Sequence, residues 1–393
     1  MTLSTLPLCY CTNVHPGRTL AEVESGIDTF AASIATAFDG PLSIGLWFAD
    51  PVSGEIETTP DAVSRLRDKL ESHRLSCHTL NAFPFGDFHS ERVKEGVYLP
   101  DWSSPQRLDY TLRCCGILAE LMPDGREGSV STLPLGFAAA KKPHSYFEAC
   151  IAALIDAARR LDELHSETGR IVRLAIEPEP FCHLQTTDEA VAFFERLRDR
   201  AEDTGARDIV DQHIGLCYDV CHQAVEFEDA ATSIAALRAA DVRINKVQIS
   251  CAIELANPRD NVEGRNALAE YVEPRYLHQT FARNAAGQIV SIPDLTRETC
   301  LDPPEAFLDA EAWRVHFHVP VNETRIGPLF TTRPQLEVAL AAIEGLDYAP
   351  HLEVETYTWA VLPGGDRPSI IDGIAQELRA TRRLLADLRL KSP

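Results

Sequence analysis

The stretch HIGLCYDVCHQAVEF, residues 213–227, joins an apolar run to an aspartate, a cysteine and a histidine that fall within positions 219–222. Ile214 to Tyr218 carry no alternating polar residue, the pattern of a strand covered on both faces, as in a parallel sheet flanked by helices. Asp219 ends the run. Two readings of Asp219 and His222 stand open: a capped turn in which His222 bonds the loop, or a pair of ligands at a strand end.

Working outward, runs of the same kind recur at PLCYC (7–11), LSIGLWF (42–48), LSCHTLNAF (75–83), GSVSTLPL (128–135), IVRLAIE (171–177), INKVQIS (244–250), RVHFHVP (314–320) and HLEVETY (351–357). Amphipathic helices lie between them. Thr19 and Glu22 make a capping-box pattern ahead of Leu20, Val23, Ile27, Phe30 and Ile34. Ser104 precedes Pro105, Ser145 and Glu148 open a stripe from Phe147 to Leu161, and a closing helix carries Ile371, Ile374, Leu378, Leu385 and Leu388. Strand-then-helix units imply parallel strands joined by right-handed crossovers, and about eight of them predict an α/β fold, a closed (β/α)8 TIM barrel. A doubly wound sheet is the alternative, but no G-x-G-x-x-G follows the first strand.

Nine strand candidates are one too many for the barrel. The surplus falls around residues 251–313, where LHQTFARNAAGQIVSIPDL reads as a hairpin turning at Asn284 to Gly287. We expect a single domain over 1–393, with 251–313 a rim insertion between strands seven and eight and RVHFHVP returning across the barrel mouth.

Composition narrows the partners. With 37 basic against 59 acidic residues the net charge is −22, which repels phosphate backbones and argues against nucleic-acid binding. No apolar run approaches the roughly 20 residues that span a bilayer, and the N-terminus lacks a secretory pattern, so a cytoplasmic protein without a membrane span is expected. The 11 cysteines are odd in number and mostly inside apolar runs, as reduced core thiols are. No nucleophile elbow or P-loop is present.

In such a barrel the chemistry sits where the strands end. The fifth run ends in Glu177 and Glu179, the sixth in Asp219 and His222, the seventh in Gln248 and the eighth in Glu353 and Glu355, of which Glu355 lies nearer the end; His316 and His318 come from the returning segment. Each alone has an ordinary reading: a helix cap, an ion-pair partner, a strand neighbour, or a solvent-facing pair for the two histidines. Together, converging carboxylates want a cation, and carboxylate, imidazole and amide donors suit a divalent ion such as Mn, Zn, Mg or Fe. The metal set is then Glu177, Asp219, His222, Gln248, His318 and Glu355. A substrate wall is expected from Asn13 and His15, from Asn81, Phe83, Phe85, Asp87 and His89, and from Glu179, His316 and Trp359, a polar and aromatic mixture suited to a partly apolar ligand. Arg92, Lys94 and Tyr98 offer either an anion contact at the rim or a solvated charged face.

The order of a strand-five Glu, YDVCH at strand six, a polar residue at strand seven and VETY at strand eight resembles the xylose isomerase-like TIM barrels, which include sugar-phosphate isomerases and epimerases and endonuclease IV-type nucleases. Within that group LCYCTNVHPG, TLNAFPFGDFH, VYLPDW, STLPLGF, EPEP, CYDVCHQAVEFED and KVQIS look like the EboE family of metabolite traffic proteins, over most of the chain. The resemblance implies a protein that handles a secondary-metabolite precursor, prenyl or aromatic, beside other Ebo-system proteins. Carried over from the wider group, Glu177, Asp219 and Glu355 would be metal carboxylates and His222 a ligand or a group orienting one. The strand-seven ligand is usually His, and Gln248 departs from that unless His316 or His318 supplies the imidazole. The alternative to traffic is a metal-dependent sugar or sugar-phosphate isomerase or epimerase, in which Glu177 or Glu355 moves a proton next to a carbonyl.

Overall fold

The computed structural model describes residues 6–138, 142–364 and 367–391. Eight parallel strands close into a barrel: Leu8–Cys11, Leu42–Trp47, Leu75–Asn81, Gly128–Thr132, Val172–Ile176, Ile214–Asp219, Ile244–Ile249 and His351–Val354. Closure comes where Cys9 pairs with Glu353 and Tyr10 with Val354. The crossover helices cover the outside, the longest being Tyr146–Thr168 and the closing helix Ile370–Lys391.

Helix starts follow their caps only in part. Thr19 accepts from the Glu22 N–H, but the Glu22 carboxylate bonds the Arg18 N–H instead of completing the box; the reciprocal box forms at Thr186 and Glu189. All 11 cysteines are buried and free.

Inside the barrel one layer is charged. Lys246 Nζ lies 2.7 Å from Glu353 Oε2 with neither side chain exposed. Gly45 makes room for it: a Cβ there would stand 1.4 Å from Glu353 Oε1.

A second, antiparallel sheet runs in the order Ile289–Ile292, Thr280–Arg283, Ala312–Val315, Ile253–Ala256, Leu329–Thr331, Arg325–Ile326. Its hairpin turns through Asn284 to Gly287, where Gly287 takes φ 78°. The sheet continues past residue 313, and the strand expected over 314–320 is Ala312–Val315 and belongs here. After Val315 the chain leaves the ladder: Phe317 N–H bonds the Val315 carbonyl and Val319 N–H crosses to Cys251. His316 and His318 therefore sit on irregular backbone. Among the described residues no helix is long and apolar enough to cross a membrane.

Candidate metal centre

Asp219 is the N-cap of the short helix Val220–Val225, and its two oxygens diverge in use. Oδ1 accepts from the His222 N–H at 3.0 Å and from Ser250 Oγ at 2.8 Å. Oδ2 is buried with no hydrogen-bond partner, 3.8 Å from His222 Nε2 and 3.9 Å from His318 Nε2. One oxygen thus caps the turn, and the other is left without a partner beside two imidazoles.

The imidazoles are set by their far nitrogens. His222 Nδ1 lies 2.9 Å from the Pro178 carbonyl and His318 Nδ1 2.9 Å from the Glu355 carbonyl, so each Nδ1 donates and each Nε2 keeps its lone pair for the centre. Burial holds His318 down at about 4, a neutral donor. His318 Nε2 is another buried atom without a partner.

Two more carboxylates face the same point. Oxygens of Glu177, Asp219 and Glu355 lie within 4.8 Å of one another, as do donor atoms of Asp219, His222 and His318. Glu177 Oε2 is buried without a partner, and burial, then Glu355 and Asp219, raise this carboxyl well above its usual range. Glu355 Oε1 accepts from Asn13 at 2.7 Å and Asn81 at 3.0 Å, yet burial, followed by Asp219 and Glu353, pushes the group up to about 8. Three crowded carboxylates and two lone-pair imidazoles with orphaned atoms fit a divalent cation, which would remove both the desolvation cost and the mutual repulsion.

A pocket opens over this floor. Asn13, Asn81, Glu179 and His316 line it with Glu177, His222, His318 and Glu355, and Phe83 stands in its wall. Glu179 accepts from Tyr98 Oη at 2.7 Å and Gln279 Nε2 at 3.2 Å, and Gln279 Oε1 bonds His316 Nδ1 at 2.8 Å. Gln279 and His316 flank strands of the second sheet; His316 was expected at the wall with Glu179, whereas Gln279 was not singled out.

Gln248 pairs with Asp219 and Glu353 in the ladder; like Asp219 it is fully buried and does not itself line the pocket, and both its amide atoms are unpartnered. Other expected site residues are elsewhere. His15 stacks on Phe30 with ring centroids 4.3 Å apart, behind the first loop. Phe85 packs on Tyr110 and Arg107, because the chain turns after Pro84 and breaks the alternation that would have kept it beside Phe83. Asp87 is exposed and caps the His89 N–H; His89 bonds the Asn13 carbonyl at 2.8 Å, steadying the loop and not touching the pocket. Trp359 turns away to Glu377. Arg92 is exposed, whereas Lys94 is buried, 2.6 Å from the Tyr276 carbonyl and 2.8 Å from Asp294. Missed altogether were Phe88, Tyr276 and Tyr357, pocket residues with only their aromatic character to mark them.

No family model matches the chain, and no curated protein does. Solved structures do. An L-ribulose 3-epimerase matches at 14% identity over 98% of this chain and 97% of its own, with a TM-score of 0.52. A D-tagatose 3-epimerase-like protein matches at 10% identity over 98% and 99%, with a TM-score of 0.51. At these identities the likeness concerns the fold alone: the chain is a closed (β/α)8 barrel, as those two structures are.

Proposed function

We propose that the chain is a divalent-metal-dependent isomerase or epimerase of a small hydroxycarbonyl substrate. The observation that carries this reading is Asp219 Oδ2, orphaned and buried between the Nε2 atoms of His222 and His318, with Glu177 and Glu355 beside it. Glu177, Asp219, His222, His318 and Glu355 would hold the ion; His318 brings the imidazole that strand seven, with Gln248, does not. When bound, such an ion polarises a carbonyl and fixes the neighbouring hydroxyl.

The chain's own groups then do the proton work. Glu177 and Glu355 come from strands five and eight and approach the pocket from different sides. One takes a proton from the carbon next to the carbonyl and the other holds one for return. Asn13 and Asn81 fix Glu355 by one oxygen and leave the other to move a proton. The names of the two fold neighbours agree with sugar epimerisation. The traffic role implied by the EboE resemblance, likewise one for a metal-binding barrel, gains no such support, since no family model or curated protein matches the chain. Phosphodiester cleavage is disfavoured by the charge of −22.

The test is elemental analysis after Mn²⁺ loading and dialysis. Wild type should retain about one equivalent or more. Asp219→Asn, whose amide oxygen still caps the helix, should fold normally and lose the ion. Retention of the ion by that variant would overturn the assignment. Deuterium uptake from D2O into a ketose at the carbon beside the carbonyl should accompany metal loading and vanish in Glu177→Gln.

A further inference from the structure

The pocket has two unlike halves. Its floor is the polar centre; its wall is carbon, from Phe83, Phe88, Val97, Tyr98, Tyr276 and Tyr357. The tyrosines present rings and not hydroxyls, because each hydroxyl has a partner: Tyr98 donates to Glu179 at 2.7 Å, Tyr276 to the Phe88 carbonyl at 3.2 Å, and Tyr357 lies 3.5 Å from His316 Nε2. Phe88, Tyr276 and Tyr357 form a closed set, with centroid separations of 5.0, 5.3 and 5.0 Å, tilted or edge to face. Phe83 and Tyr98 make a second edge contact at 5.9 Å. Such walls receive another flat ring well.

Apart from the ion, the pocket has no free cationic side chain among its described residues for an anionic group. No arginine lines the pocket, and its one lysine, Lys94, spends its ammonium on the Glu273 and Tyr276 carbonyls and on Asp294. The amides at the start of the helix Val220–Val225 are taken as well, Cys221 N–H by Ser250 Oγ and His222 N–H by Asp219. A phosphate needs such donors free. Among the described residues lining the pocket, none offers a free cationic donor.

We infer that the substrate is an uncharged hydroxycarbonyl compound bearing an aryl group, with the oxygens on the polar floor and the ring against Phe88, Tyr276 and Tyr357, and not a sugar phosphate. This rests on the hydroxycarbonyl reading above and narrows it. The test compares three probes on the Mn²⁺-loaded protein by calorimetry: 2-hydroxyacetophenone, dihydroxyacetone and dihydroxyacetone phosphate. The aryl ketone should bind roughly tenfold or more tighter than dihydroxyacetone, and the phosphate no tighter than dihydroxyacetone. Phe88→Ala should lower the ratio of aryl to plain ketone affinity several-fold. Equal binding of the aryl and plain ketones, or preference for the phosphate, would overturn the inference while leaving the hydroxycarbonyl reading intact. Failure of all three probes on protein shown to hold Mn²⁺ would overturn both. The wild-type ratio decides even if Phe88→Ala fails to fold.

Discussion

Lys246 and Glu353 put two opposite charges 2.7 Å apart inside the barrel, one side-chain layer below Gln248 and Glu355 on the same strands. Burial alone would lower the lysine, but Glu353 outweighs it and the ammonium is held above its usual range. Nζ also reaches Ser131 Oγ at 3.2 Å and the Leu80 carbonyl at 3.4 Å. Breaking a buried pair from one side leaves an uncompensated charge, so Lys246→Met should cost roughly 3–5 kcal/mol of stability. Replacing both partners, Lys246→Met with Glu353→Leu, should recover most of that loss. Urea unfolding of the two single variants and the double closes the cycle; simple additivity would mean that the charges do not depend on each other.

The closing helix is tied to the last strand's loop by one carboxylate. Glu377 accepts from the Val321 N–H at 3.0 Å, from Thr356 Oγ1 at 2.6 Å and from Trp359 Nε1 at 2.9 Å. Burial outweighs these donors and raises the group from 4.5 to about 7. The folded state therefore holds a proton that the unfolded chain releases, so this stability is fully present below 4.5 and is lost as pH rises through about 7. Glu377→Gln has no such dependence. Relative to that variant, wild type should lose roughly 3 kcal/mol between pH 4.5 and 8, read from paired denaturant curves. Parallel profiles would show that Glu377 stays ionised in its ring of donors.

Elements of this kind also mark how far the sequence could be read. The barrel strands were legible because burial on both faces writes a continuous apolar run with a polar residue where it stops, and that rule singled out Glu177, Asp219 and Glu355, whose carboxylates the fold brings together. His318 lay within reach of the same reasoning only by proximity, since its place depends on a chain that leaves its ladder after Val315. His15 and Phe85 failed because loop residues obey no period: three or four positions beyond a strand end, a side chain can face the mouth or the outer helices. Phe88, Tyr276 and Tyr357 come from three distant segments, and nothing local records that their rings meet.

For the molecule as a whole, the acidic surface and the acidic centre must be told apart. A chain of net charge −22 attracts divalent cations everywhere, weakly and with strong screening by salt. The centre differs in being buried: Asp219 is 0% exposed, Glu177 3%, Glu355 4%, His222 4% and His318 0%. Binding there favours only the folded chain, and at a hundred times Kd it adds about 2.7 kcal/mol. In a protein of this size that is a rise in Tm of several degrees, increasing with the logarithm of Mn²⁺ concentration. The rise should persist in 0.5 M NaCl, roughly a Debye length of 4 Å, where surface attraction has collapsed. It should be absent in Asp219→Asn, which leaves the rest of the acidic surface untouched. A shift that salt abolishes, or that the variant keeps, would assign the metal effect to surface charge and remove the centre from the account.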